Sequence, residues 1–171
     1  MKELEDKILT DGKVKPGGIL KVDNFLNHQI DPQLLYDMAV ELKRLYEGAG
    51  VNKILTVEAS GIALAAMAGS VFSCPLVFAK KSKTRNLSDA VWCAEVESFT
   101  HGGSNTILVS KEYLGPDDCV LIVDDFLATG AALIGLKSIC EQAGARIAGA
   151  GIAIEKVFQG GGNLLRREEC A

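Results

Sequence analysis

Basic charge, paired cysteines, histidine and long apolar runs are scarce in this sequence, and each shortage removes a class of function. Lys and Arg number 18 against 22 Asp and Glu, a net charge of −4 at pH 7, so general affinity for a nucleic-acid backbone is not expected. The five cysteines (Cys74, Cys93, Cys119, Cys140 and Cys170) stand singly among apolar neighbours. Without a CxxC pair they read as free thiols of a reducing compartment rather than as disulfides or a zinc site. Neither of the 2 histidines, His28 and His101, has an evident metal partner. No apolar run reaches the roughly 18 residues that a membrane span needs, and Met1-Lys2-Glu3-Leu4 carries no signal-peptide pattern. The expectation is a soluble, cytoplasmic protein with neither a membrane nor a nucleic-acid partner.

What is present is ordinary α/β material: 171 residues, 48% apolar and 23% charged, with 18 glycines, enough for one domain with its own core. A charged helix is predicted from about Glu3 to Thr10, and Pro16-Gly17-Gly18 turns the chain. The alternation from Ile19 to Phe25 predicts a half-exposed strand. Asp31 before Pro32 predicts a capped helix start, and Leu34, Leu35, Met38, Leu42 and Leu45 form its apolar stripe. A strand from Lys53 to Val57, the small-residue turn Glu58-Ala59-Ser60-Gly61 and a helix to about Ser70 follow, then a buried strand from Leu76 to Ala79. Lys80, Lys81, Lys83 and Arg85 form the chain's basic cluster. Val91–Phe99 and Thr106–Lys111 read as hairpin arms around His101-Gly102-Gly103-Ser104-Asn105. A last strand spans Ile147 to Lys156, and Gly160-Gly161-Gly162 opens a loop before a charged tail. Strands alternating with helices imply a doubly wound parallel sheet covered on both faces. Ligands on such sheets gather at the carboxyl ends of the strands. The turn after Val57, the basic stretch after Ala79, the acids after Val123 and Lys156 would therefore share one cleft.

The most informative segment is Val120-Leu121-Ile122-Val123-Asp124-Asp125-Phe126-Leu127-Ala128-Thr129-Gly130-Ala131-Ala132-Leu133. Four β-formers predict a buried strand, and helical spacing resumes at Ala131 and runs to about Ala143. The Ala-Thr-Gly turn between them has no bulky side chain to cover its backbone. Bare N–H groups at a helix start make an anion site. The two carboxylates before it can accept from hydroxyls or help to hold a hard metal ion. A sugar with free hydroxyls and a terminal phosphate satisfies both features. The segment is not a P-loop, which would end in Gly-Lys-Ser/Thr, nor a dinucleotide fingerprint, which needs three glycines.

This run resembles the phosphoribosyl-pyrophosphate (PRPP) signature of the type I phosphoribosyltransferases. Leu20-Lys21-Val22-Asp23-Asn24-Phe25-Leu26-Asn27-His28-Gln29-Ile30-Asp31-Pro32 is similar to the N-terminal segment of that family's bacterial xanthine branch. So are Glu58-Ala59-Ser60-Gly61-Ile62-Ala63, Asp124-Asp125-Phe126-Leu127-Ala128 and Ile152-Ala153-Ile154-Glu155-Lys156, in the same order along the chain. The resemblance implies a type I phosphoribosyltransferase fold over residues 1–171, with a flexible β-hairpin loop and a small hood from about 1–30 and 157–171. The family's chains continue into a further hood strand where this one ends at Arg166-Arg167-Glu168-Glu169-Cys170-Ala171, so a truncated hood is expected. It implies transfer of phosphoribose from PRPP to xanthine in purine salvage, with Asp124 and Asp125 facing the ribose hydroxyls. Ala128, Thr129, Gly130, Ala131 and Ala132 would cradle the 5′-phosphate. Ala59, Ser60 and Gly61 would form the pyrophosphate loop, and Leu20, Asn27 and Lys156 would meet the base. The basic stretch from Lys80 would close over PRPP. Mg²⁺ would arrive with PRPP rather than at a dedicated metal site, and a homodimer is implied. A relative acting on hypoxanthine or guanine is the alternative. Less favoured is a non-catalytic PRPP-binding regulator, because no DNA-binding extension or basic face is visible.

Overall fold

The computed structural model describes residues 1–81, 90–98 and 103–168. Helix α1 (Lys2–Asp11) leads into a short antiparallel hairpin of β1 (Lys13–Lys15) and β2 (Ile19–Lys21). The strand predicted through Phe25 stops at Lys21, and Asp23–Asn27 winds into a π-helical turn instead. Phe25 and Leu26 are consecutive and both buried. A strand would send one of them outwards, whereas a helical turn holds both against the core.

Helix α2 (Pro32–Leu45) begins at the predicted position. Asp31 Oδ1 accepts from the Leu34 N–H at 3.2 Å, and Pro32 occupies the first turn, where its missing donor is not needed. Asp31→Ala is expected to cost about 1 kcal/mol, seen as a fall of a few degrees in Tm by thermal unfolding. A wild-type Tm would show that the cap contributes nothing.

The chain continues through β3 (Lys53–Val57), α3 (Ile62–Phe72), β4 (Leu76–Ala79), β5 (Val91–Ser98), β6 (Gly103–Ser110), β7 (Cys119–Leu127), α4 (Ala131–Ala143), β8 (Arg146–Glu155), a single 3-10 turn and α5 (Gly161–Glu168). Strands β4-β3-β7-β8 form the parallel sheet in that order. The chain leaves β3 for β4 through α3, and β7 for β8 through α4. Strand order therefore reverses between β3 and β7, where doubly wound sheets open a ligand crevice. Period-two alternation divides the core between the two faces of the sheet. Ile54, Leu121 and Val123 pack under α2 and α3, while Leu55, Val57, Val120 and Ile122 pack under α4.

Several expectations are corrected. Strand β4 is not buried: of its residues only Ala79 is, and Phe78 is 38% exposed, because β4 is a sheet edge. On the α4 face the β5–β6 hairpin does part of the covering. Position 135 is glycine where a Cβ would lie 2.5 Å from Val96 Cγ2 and 3.1 Å from Ile107 Cδ1. The hairpin joins the sheet end through backbone bonds between Lys80 and Leu108, at 2.9 and 2.8 Å. Of the glycine triplet only Gly160 lies in a connection; Gly161 and Gly162 begin α5. Lys83 and Arg85 of the basic cluster, His101 and Gly102 of the hairpin turn, and the tail from Glu169 to Ala171 with Cys170 lie outside the described residues. Among the described residues the cysteines are free, with Cys119 and Cys140 buried, and no helix is long and apolar enough to cross a membrane.

Candidate active site

Strand β7 extends four residues beyond the predicted end at Val123, so Asp124 and Asp125 lie within the strand rather than in the turn. Pairing with β8 holds them there: Asp124 is in register with Ile152, and Phe126 with Ile154. Both acids are buried, 6% and 4% exposed. Asp125 is gripped from two sides. Its Oδ1 accepts from Ser60 Oγ at 3.0 Å and its Oδ2 from Asn27 Nδ2 at 3.2 Å. Asp124 Oδ1 accepts from the Asp125 N–H at 2.9 Å. Burial, then the neighbouring Asp125 charge, pushes the Asp124 carboxyl up to about 8, against a smaller pull downwards from that N–H and Lys81. A buried acid that keeps its proton near neutral pH marks a site where charge is managed.

Beyond β7, Ala128 and Thr129 are half-buried and Gly130 takes φ +89, a left-handed conformation that disfavours any side chain. No side chain caps α4. The Ile134 N–H bonds back to Gly130 O at 3.0 Å, and the leading N–H groups at Ala131 and Ala132 have no intrahelical acceptor, as at any helix start. The turn is braced from behind. The Gly161 N–H donates to Ala128 O at 3.1 Å, and a Cβ on Gly161 would collide with Ala128 O and lie 2.8 Å from Gly130 N and Thr129 C. Sequence reading passed over this residue; the only trace of its role is the glycine triplet that contains it. Lys156 is also tied to this edge. Its N–H donates to Leu127 O at 2.8 Å and its Nζ lies 5.0 Å from the centre of the Phe126 ring.

The loop after β3 is the other lip of the crevice. Ala59 and Ser60 are exposed and Gly61 is buried. The Glu58–Ala59 peptide is cis, and Glu58 Oε1 accepts from the Lys81 N–H at 2.6 Å, linking this loop to the segment after β4. At Gly61 φ is −67, open to any residue, so the restriction is steric. A Cβ there would run into Thr56 Oγ1 and lie 2.7 Å from Asp124 Oδ1. Thr56 is fully buried and its hydroxyl has no hydrogen-bond partner among the described residues. Such an unsatisfied group costs about 1–3 kcal/mol.

The fold thus brings Asn27, Ser60 and Asp125 into one hydrogen-bonded chain, with Gly61 against Asp124 and Lys156 at the adjoining strand end. Leu20 makes no polar contact in this cluster; it packs half-buried against the first core. The two hood segments meet, because Phe158 Cζ lies 3.2 Å from where a Cβ on Gly18 would sit. Among the described residues no three metal-ligating side chains converge. The oxygen donors of Asp124 and Asp125 are of the kind that suits a hard cation.

Comparison with known proteins agrees with this geometry. Residues 21–159 match the model of the phosphoribosyl transferase domain family. The xanthine phosphoribosyltransferase of Lactiplantibacillus plantarum is 54% identical over 165 residues, spanning 96% of this chain and 85% of its own length. That of Finegoldia magna is 54% identical over 168 residues, spanning 98% and 88%. The crystal structure of the adenine enzyme APRTase of Giardia lamblia, complexed with 9-deazaadenine, superposes with a TM-score of 0.80 at 23% identity, covering 96% of this chain and 91% of that one. Adenine phosphoribosyltransferase of Saccharomyces cerevisiae gives 0.78 at 20%, covering 95% and 94%. At such identities the structural likeness speaks for the fold alone.

Proposed function

The chain belongs to the phosphoribosyl transferase family, and from that premise we propose that it converts xanthine and PRPP to xanthosine 5′-phosphate and pyrophosphate. The observation that carries most weight is the buried acid pair at the sheet's switch point, with Asp125 bonded at once to Ser60 and Asn27. The proposed assignment is as follows. Asp124 and Asp125 receive the ribose 2′- and 3′-hydroxyls. Backbone donors at Ala128, Thr129, Gly130, Ala131 and Ala132, with the Thr129 hydroxyl, hold the 5′-phosphate at the start of α4. Ala59, Ser60 and Gly61 let backbone amides approach the diphosphate. Lys156 donates to the 6-oxygen of the purine, and Leu20 and Asn27 cover the base. Xanthine as the acceptor is supported by the near-full-length relatives of that name.

As pyrophosphate leaves the ribose C1, positive charge develops on the sugar and a purine nitrogen captures it. The protein contributes position and electrostatics: it aligns base and sugar, and its N–H groups stabilise the departing diphosphate. Magnesium bound through the oxygens of PRPP and water would supply positive charge to the diphosphate. The reading extends to one domain over residues 1–171, a homodimer and a cytoplasmic location.

Purified protein with xanthine, PRPP and Mg²⁺ is expected to form xanthosine 5′-phosphate and pyrophosphate in equal amounts. Absence of product, or preference for adenine in competition with xanthine, would overturn the assignment, since a cationic donor at the 6-position suits an oxo-purine. In the same assay Thr129→Ala is expected to lower kcat/KM for PRPP by about tenfold, because one hydroxyl donor to the charged phosphate is lost while the backbone donors remain. A far larger loss would move the main phosphate contact onto the Thr129 side chain.

A further inference from the structure

We propose that Thr56 is a positioning residue for this site: its hydroxyl, across the space that Gly61 leaves open, donates to the Asp124 carboxylate when substrate is bound. The inference rests on the function proposed above. It starts from the orphaned hydroxyl. Thr56 lies in the buried run of β3, is 0% exposed, and its Oγ1 has no hydrogen-bond partner among the described residues. One methyl group at position 61 would touch both Thr56 Oγ1 and Asp124 Oδ1. The two oxygens therefore border the same small space beside Gly61. A purely structural threonine here would be better replaced by valine, which has the same shape and no polar atom to leave unpaired.

Several charged groups act on Asp124. Asp125 stands beside it on β7, and Lys81 acts on it from beyond β4. Glu58, in the loop after β3, accepts from the Lys81 N–H. Burial and the Asp125 charge push the Asp124 carboxyl upwards, so a further donor to its anion would favour the ionised form. When Asp124 ionises to accept a ribose hydroxyl, it needs further donors, because a carboxylate accepts at about four positions and the Asp125 N–H fills one. Thr56 supplies the next, fixing the carboxylate's orientation from the side opposite the sugar. Thr56 does not touch substrate; it acts through Asp124.

The test compares Thr56→Val, which keeps the shape, with Thr56→Ser, which keeps the hydroxyl. Both are expected to fold; Thr56→Val should melt at or above the wild-type Tm, because it removes a buried hydroxyl without a partner among the described residues, and Thr56→Ser somewhat below it for the lost buried methyl. At about pH 9 Thr56→Val should lower kcat about tenfold while KM for PRPP changes less than about twofold. Loss of a donor to the anion raises the Asp124 pKa, so the acid limb of the pH profile should move upwards by about one unit. Thr56→Ser should restore both. A Thr56→Val enzyme with wild-type kcat and pH profile, or equal losses in the two variants, would overturn the inference. If the wild type forms no product from xanthine, the functional reading falls by itself. The variants are then scored by PRPP binding calorimetry across about pH 6 to 9. There only Thr56→Val should lose affinity on the acid side, and identical binding curves would overturn the role of Thr56.

Discussion

Asp125→Asn is expected to lower kcat/KM for PRPP by about 100-fold or more while the protein remains folded. The substitution keeps the shape but replaces one acceptor oxygen by an NH₂ donor. Asp125 meets a donor at each oxygen, the Ser60 hydroxyl on one and the Asn27 amide on the other. Whichever way the new amide turns, one contact becomes donor against donor until the neighbour reorients. The charge that strengthens both bonds, and that would receive the ribose hydroxyls, is lost as well. Hydrogen bonds to charged groups are worth roughly 1.5–3 kcal/mol each, and each 1.4 kcal/mol is a factor of ten in rate, so two such losses give the stated magnitude. Steady-state kinetics with PRPP as the varied substrate, beside a thermal melt, would check it. Wild-type PRPP kinetics in a folded Asp125→Asn protein would remove Asp125 from the sugar site.

Gly161→Ala should be nearly as damaging, although the residue lies outside every segment that reads as a motif. Its added Cβ would meet main-chain atoms of the Ala128–Gly130 turn: Ala128 O, Thr129 C and Gly130 N. Backbone offers no rotamer by which to yield, so either the turn or the start of α5 must shift. A displacement of about 1 Å in a group that positions substrate can cost about 100-fold. The expected outcome is a rise in KM for PRPP of about 10- to 100-fold with the sheet intact, measured by kinetics and far-UV circular dichroism. Gly115→Ala, where a Cβ would meet nothing within 4 Å, is the control and should behave as wild type. If both variants retain wild-type KM, α5 does not brace the turn.

The parts of the molecule that could be read in the sequence are those governed by local rules. The Asp31–Pro32 start of α2, the strand Lys53–Val57 and the extent of α4 came out as the caps and periodicity predict. The errors have one physical cause: tertiary pairing overrides local pattern. Strand β7 was expected to stop where its apolar run stops, but continuous pairing with β8 carries it through two acids to Leu127. The buried pair Phe25 and Leu26 turned a predicted strand into a helical turn. For the candidate site, the acids and the small-residue turn stand out by local pattern, Ser60, Asn27 and Lys156 only by the family resemblance, and the structure brings Asn27 and Ser60 onto Asp125. Thr56 was not legible, because a threonine in a strand of β-formers carries no local mark. Gly161 was not, because its role is a contact with a turn some thirty residues earlier in the chain, and such contacts are invisible to local pattern reading.

The reversal of strand order between β3 and β7 bears on how the protein matures. One lip of the crevice follows β3 and the other follows β7, and these strands are neighbours in the sheet although α3, β4 and the β5–β6 hairpin separate them along the chain. Closing so long an intervening segment is entropically costly and slow compared with local contacts. Neither half of the polypeptide contains a working crevice by itself. During refolding, catalytic competence should therefore emerge with this distant pairing and lag behind the local helices, which makes enzyme turnover a direct clock for the step that joins the two halves.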